Sequence, residues 1–131
     1  MKAVKKDNVT PDLTLLALNS QPKNTKRSPH DIVQDFFLIN DSTTVCTELP
    51  VFISPQETSL NIDEPITGHI DIVRIRYDNL YILDYKPNLN RPERHASQLA
   101  LYKEAIKNRT SIPEHKIHIA VFNEYGYYEF A

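Results

Sequence analysis

The sequence predicts a single α/β domain in which helices pack on a mixed β-sheet. Segments with helical periodicity alternate with short runs rich in β-branched and aromatic residues, which is the pattern of this class. The chain has 131 residues, of which 40% are hydrophobic and 24% are charged. Such a chain is long enough to bury one modest core.

The N-terminal residues 1–27 are polar and hold six basic and two acidic residues. A short helix is predicted near residues 11–18, with Thr10 as its N-cap and Pro11 in its first position. Pro22 and the basic run that follows favour a loop. We therefore expect residues 1–27 to form a basic arm and residues 28–131 to form the folded core.

A second helix is predicted to begin at Ser28. Serine is a favoured N-cap, Pro29 suits the first helical position, and Asp31 can complete a capping arrangement. The apolar residues that follow recur at helical spacing: Ile32, Val33, Phe36 and Phe37. Residues 43–53 then read as a strand in which Pro50 marks an edge or a bulge, and residues 54–67 read as a loop.

Residues 68–87 read as two strands joined by a tight turn. We place the turn at Asp78-Asn79, because both residue types tolerate positive φ. Counting from that turn pairs Tyr77 with Leu80, Val73 with Asp84, and Asp71 with Lys86. Residues opposite each other share a face, so Asp71, Asp84 and Lys86 are expected to project to the same side of the sheet.

The C-terminal third is predicted to contain a helix over residues 91–109, capped by Asn90, and strands over residues 116–122 and 125–130. The apolar side of the helix comprises Ala96, Leu99, Ala100 and Ile106. Gln98 and Tyr102 are four residues apart and share a helical face. The predicted order is therefore helix, three strands, helix and strand, followed by a small final strand.

Charged residues inside the two central strands can be explained in two ways. Burying carboxylates and an ammonium is costly unless they are paired or bind a metal. One explanation is a structural ion pair between Asp71 and Lys86, with Asp84 solvated, and the other is a metal site. Residues 86–116 carry seven basic and three acidic residues, which suits either a phosphate-binding surface or a solvated helix face.

The motifs together resemble the PD-(D/E)XK nuclease superfamily, most closely its RecB-like branch, which includes CRISPR-associated exonucleases. The resemblance covers roughly residues 28–130. It is carried by G-x-x-D at Gly68–Asp71, D-x-K at Asp84–Lys86 and Q-x-x-x-Y at Gln98–Tyr102, in that order. It implies a restriction-endonuclease-like αβββαβ core, with a mixed central sheet flanked by helices.

The resemblance implies metal-dependent hydrolysis of DNA, on single strands or ends. Oxygen ligands from Asp71 and Asp84 suit Mg²⁺ or Mn²⁺, and Lys86 would orient the attacking water or stabilise charge on the phosphate. By resemblance, the Tyr85 carbonyl and His30 would complete the metal shell. Further expected site residues are Glu48, as a ligand or an edge-strand charge, Gln98 and Tyr102 near the catalytic centre, and Arg91, Arg94 and Lys103 along the DNA backbone.

Other features set bounds on these expectations. The single cysteine, Cys46, excludes an internal disulfide and the iron–sulphur cluster that some RecB-like nucleases carry. No run of about 18 apolar residues is present, so no membrane is expected as a partner and the cytoplasm is the simplest compartment. A bare core of this size is expected to work as a homodimer or with a partner protein. The alternatives are a junction-resolving or structure-specific endonuclease on the same fold, and a catalytically inactive nucleic-acid-binding module.

Overall fold

The computed structural model describes residues 1–131 and has an α/β fold built on one six-stranded mixed sheet. The strands are β1 (Ala3–Lys5), β2 (Thr44–Ile53), β3 (Ile66–Arg76), β4 (Asn79–Tyr85), β5 (Ile117–Phe122) and β6 (Tyr127–Phe130). The helices are α1 (Val9–Asn19), α2 (Pro29–Asn40) and α3 (Ala96–Arg109). The predicted α/β class and mixed sheet are confirmed.

The sheet order is β1-β6-β5-β4-β3-β2, in which β4 and β5 are parallel and all other neighbours are antiparallel. One face packs against α3 through a cluster that includes Ile82, Leu99 and Val121. The other face packs through a cluster that includes Val33 and Phe37 of α2. The parallel pair requires a crossover, and α3 supplies it between β4 and β5.

Helix α2 begins where the sequence predicts. Ser28 has extended backbone angles and its hydroxyl accepts a hydrogen bond from the Asp31 N–H at 3.1 Å, with Pro29 as the first helical residue. Helix α3 begins later than predicted, because residues 92–95 form a short 3₁₀ turn before it and Asn90 does not cap it.

Residues 1–20, which the sequence predicts as part of a basic arm with a short helix near residues 11–18, pack on the fold, and α1 lies at the predicted helix. Strand β1 pairs with β6 at the sheet edge, and α1 buries Thr10, Thr14 and Ala17. The buried Arg74 guanidinium donates to the Thr10 hydroxyl at 3.1 Å and also holds the Asp41 carboxylate. Asn8, rather than Thr10, occupies the N-cap position of α1, and the Asp7 carboxylate accepts a hydrogen bond from the Thr10 N–H.

The β3–β4 turn lies one residue earlier than predicted. Tyr77 and Asp78 both have positive φ, 49° and 65°, which is the backbone of a two-residue hairpin turn. Arg76 therefore pairs with Asn79, and Ile72 pairs with Leu83. Asn79 sits outside the turn, where its side-chain amide donates to the Tyr77 carbonyl. Moving the turn by one residue shifts the register by two, so the paired residues from Ile72 to Arg76 and from Asn79 to Leu83 keep their predicted faces.

Strand alternation is interrupted along one row of the sheet. In β3, Ile70 and Val73 both pack on the α3 face, whereas Ile72 packs on the opposite one. In β2, Cys46 and Leu49 both pack towards α3, and Glu48 between them has a φ of 52°. This left-handed conformation is strained for a residue with a side chain. The interruption lies beside Asp71, at the end of the β3–β4 pairing.

No helix in the protein is both long enough and apolar enough to cross a membrane.

Candidate functional site

Asp71 lies where β3 and β4 separate. The last paired residues are Ile72 and Leu83, so Asp71 and Asp84 come next, directly across from each other. Asp71 Oδ2 accepts a hydrogen bond from the Tyr85 N–H at 3.0 Å. The carboxylate thus binds a β4 amide beyond the end of the strand pairing, and it is held rigidly beside Asp84.

Asp84 is buried and incompletely paired. Its exposure is 7%, and its Oδ2 atom makes no hydrogen bond. Lys86 Nζ lies 3.3 Å from that oxygen, but the two groups are not aligned for a hydrogen bond. A buried carboxylate oxygen without a partner is costly, and such atoms are rare in folded proteins. Asp84 Oδ2 therefore has the Lys86 charge beside it but no hydrogen bond.

The neighbouring Asp71 carboxyl has a strongly raised pKa. Burial, a hydrogen bond shared with Asp84, and repulsion from the Asp84 charge raise the pKa of the Asp71 carboxyl from 3.8 to about 8. The Tyr85 N–H and the Lys86 charge lower the pKa by less than these effects raise it. Two neighbouring buried carboxylates cannot both ionise readily in the absence of a counter-charge. A divalent cation between them would supply that charge.

His30 joins the group from α2. Its Nε2 atom lies 3.6 Å from Asp71 Oδ2, and its ring packs edge-on against the Tyr85 ring with 5.1 Å between centroids. The side chain is 38% exposed, so it can reach a ligand from the solvent side. The helix start at Ser28 and Pro29 is what brings this first-turn histidine to the carboxylates.

Glu48 is not brought into the group. Its backbone lies in the row across from Asp71, between the pairs Thr47–Ile72 and Leu49–Ile70. Its side chain is exposed and makes no ion pair or hydrogen bond. The left-handed backbone at Glu48 interrupts strand alternation, so the strand pattern alone does not fix the direction of this side chain.

Gln98 and Tyr102 of α3 differ in their surroundings: Gln98 is exposed and Tyr102 is buried. Gln98 is exposed and makes no hydrogen bond, so its predicted place at the site is not supported. Tyr102 is 6% exposed, and burial followed by the charges of Asp84 and Asp71 raises its pKa. Its hydroxyl packs against Gly68, where an added Cβ would collide with Tyr102 Oη. Any side chain at position 68 would therefore force the Tyr102 ring to move.

This contact gives a testable prediction about stability. Gly68→Ala is expected to lower the free energy of unfolding by about 1–3 kcal/mol, because the new methyl group overpacks against Tyr102. Adding Tyr102→Phe removes the hydroxyl and is expected to restore part of that loss. Urea denaturation of the two single variants and the double variant measures the coupling. Additive losses would contradict the contact.

The predicted phosphate-contacting residues divide into two groups. Arg91 and Arg94 line one cavity beside the D-x-K segment, together with Asn88, Asn90 and His95. Lys103 lies in a different cavity, which it shares with Ala100, Glu104 and Phe130. Burial and the Lys86 charge lower the pKa of His95, and the Asp84 charge raises it. The sequence analysis did not select His95 as a site residue. The feature that could have indicated it is the polar run from Asn88 to His95 directly after D-x-K.

The donor set fits one kind of metal. No three His, Cys, Asp or Glu side chains lie close enough to form a metal cluster by themselves. Mg²⁺ is usually held by one or two carboxylates, with waters and substrate phosphates completing its octahedron. Asp71 and Asp84, with the unpartnered Asp84 Oδ2, match that requirement. They do not match the closed nitrogen and sulphur sets that bind structural zinc.

No model of a known protein family matches the chain, and none of the curated proteins compared with it matches significantly. The geometry of the site therefore carries the functional proposal.

Proposed function

We propose that the protein is a metal-dependent nuclease that hydrolyses phosphodiester bonds in DNA. The observation that carries this proposal is the unpartnered Asp84 Oδ2, buried beside Asp71 and 3.3 Å from Lys86 Nζ. Two carboxylates and an ammonium that converge at the end of a sheet are the groups that phosphoryl chemistry needs.

The arrangement of elements supports a more specific fold assignment. From α2 to β5 the order is helix, three antiparallel strands, helix and a parallel strand. This is the order of the restriction-endonuclease-like core of PD-(D/E)XK nucleases, to which we assign the chain by analogy, within the RecB-like branch. Fold analogy raises the expectation of nuclease activity and does not replace the site as its basis.

Each residue has a distinct part in the proposed reaction. Asp71 and Asp84 would hold Mg²⁺ or Mn²⁺, which when bound polarises a phosphate oxygen and lowers the pKa of a coordinated water. Lys86 is 30% exposed at its side chain, so its ammonium can donate to a phosphate oxygen that approaches from solvent. His30 can donate to the same substrate from the α2 side, with its ring fixed by Tyr85.

The direct test is cleavage of labelled single-stranded, duplex and branched DNA in Mg²⁺, Mn²⁺ or EDTA. We expect cutting in either metal and none in EDTA. Lys86→Gln keeps most of the side-chain length but removes the charge, and it is expected to reduce the cleavage rate by about 10²–10³-fold.

The substrate that is cut separates the candidate functions. Preference for single strands or ends supports a RecB-like activity, whereas preference for branched DNA supports a structure-specific endonuclease. Metal-independent cutting, or unchanged cutting by Lys86→Gln, would contradict the proposed site. Metal-independent DNA binding with no cutting by wild-type protein would favour an inactive binding module.

A further inference from the structure

A polar cavity of about 530 Å³ lies on the segment that connects β4 to α3. It is lined by Asn88, Asn90, Arg91, Arg94 and His95, and none of these residues is hydrophobic. Its volume is within the range of small-ligand sites, but an apolar ligand would find no apolar wall in it. The lining therefore indicates a charged or strongly polar ligand.

The two arginines in this cavity are without carboxylate partners. Elsewhere Arg27, Arg74 and Arg109 each form an ion pair with an acidic side chain, whereas the exposed Arg76 also forms none. Arg91 and Arg94 form none, although Glu93 lies between them in sequence. Guanidinium groups bind phosphate oxygens in a planar, two-pronged geometry. Two free guanidinium groups in one polar cavity suit an anion of that kind.

The cavity is adjacent to the proposed catalytic residues. Its first residue follows Lys86 by two positions, and His95 is close enough to Lys86 and Asp84 to respond to their charges. The segment is also locally fixed. Asn123 Nδ2 donates to the Pro87 carbonyl at 3.2 Å, and the Asn90 N–H donates to Asn88 Oδ1 at 3.0 Å. A ligand bound there would lie on the segment that directly follows the D-x-K strand.

We propose that this cavity binds one phosphate group of the substrate through Arg91 and Arg94, next to the phosphate that is cleaved. The identity of the ligand as a nucleic acid depends on the proposed function, whereas the anion site depends only on the cavity. This differs from the expectation that Arg91, Arg94 and Lys103 together follow the DNA backbone, because Lys103 lines a separate cavity.

The anion site can be tested without DNA or metal. Inorganic phosphate is titrated into ¹⁵N-labelled protein in EDTA at constant ionic strength, with chloride as the reference anion. We expect selective shifts of the Asn88 and Asn90 side-chain amides and of the Arg91 and Arg94 Nε–H signals. The shifts of the Asn88 and Asn90 side-chain amides should be absent from Arg91→Gln/Arg94→Gln protein. Equal shifts with chloride, or shifts spread over the surface, would overturn the proposal.

The source of the phosphate is tested with twelve-nucleotide oligothymidines that carry a 5′-phosphate, a 3′-phosphate or neither. Binding is measured in EDTA. Arg91→Gln/Arg94→Gln is expected to lower affinity about tenfold, the equivalent of one charge-assisted hydrogen bond. It is also expected to reduce the slope of log affinity against log salt by about 0.7, as for one single-strand phosphate. Arg76→Gln is the matched control, because Arg76 is exposed beside the β3–β4 turn at the far end of that strand pair.

The outcomes distinguish this proposal from the nuclease proposal. A preference for one phosphorylated end that is lost in the double variant assigns the cavity to a terminal phosphate. An equal loss for all three oligonucleotides assigns it to an internal phosphate. If the double variant still cuts DNA and binds the oligonucleotides as tightly as wild-type protein does, the phosphate-binding proposal is overturned and the nuclease proposal is not. If wild-type protein binds inorganic phosphate in the cavity but neither binds nor cuts DNA, the anion site stands and the nuclease proposal is overturned.

Discussion

Asp84→Asn is expected to abolish metal-dependent cleavage, with a fall of about 10³-fold or more, while it stabilises the metal-free protein. The substitution removes a ligand charge that the proposed metal requires. It also replaces an unpartnered buried oxygen with an amide that can donate to Asp71. Relief of one unsatisfied buried group is worth about 1–3 kcal/mol. Cleavage assays and urea denaturation in EDTA measure the two effects on the same sample.

A matched control for this change is Asp78→Asn. Asp78 is fully exposed in the β3–β4 turn, where it pairs with Lys116 and has a positive φ that asparagine tolerates. The Asp78→Asn substitution is expected to leave cleavage unchanged. Loss of activity in both variants would indicate a general effect of removing negative charge. Loss of both stability and activity in Asp84→Asn would indicate a structural carboxylate.

The metal-free protein is expected to lose stability as the pH rises from about 4 to about 8. The pKa of the Asp71 carboxyl is raised to about 8 in the folded state from 3.8, so between these values the folded state binds more protons than the unfolded state. A raised pKa contributes stability that is complete below the unfolded value and is lost as the pH passes through the folded one. This group alone gives a slope of at most about 1.4 kcal/mol per pH unit.

Metal should reverse this trend, because the cation and the proton compete for the same carboxylates. We expect Mg²⁺ to raise the free energy of unfolding more at pH 8 than at pH 5. Asp71→Asn should remove both the pH slope and the Mg²⁺ effect. Urea denaturation across this pH range, with Mg²⁺ or EDTA, provides the measurement. A wild-type slope that persists in Asp71→Asn would assign the titration to another group.

The predicted convergence of Asp71, Asp84 and Lys86 survives an error in the turn. The sequence favours Asp78-Asn79, because tyrosine is an uncommon residue at positive φ. The chain instead turns at Tyr77-Asp78. Since that difference shifts the register by two, the strand period of two leaves the paired side chains on their predicted faces, and Asp84 comes directly opposite Asp71.

The sequence missed features that depend on contacts between distant residues. Arg74 reads as an ordinary charge within a strand, but it donates to Thr10, 64 positions away, and helps to hold α1 on the sheet. The exposed position of Glu48 follows from a left-handed backbone that no sequence pattern marks. The link between Gly68 and Tyr102 becomes visible only when α3 packs on β3.

By itself, the sequence determined the α/β class, the order of helices and strands from α1 to β6, the start of α2 at Ser28, and the D-x-K strand on which the proposed site is built. These depend on periodicity and on capping, which act over a few residues. Only the tertiary structure decided that residues 1–20 complete the fold, that His30 reaches Asp71, and that Gln98 and Glu48 face solvent. Those outcomes depend on which surfaces pack together, because burial and strand pairing join residues that local preferences leave independent.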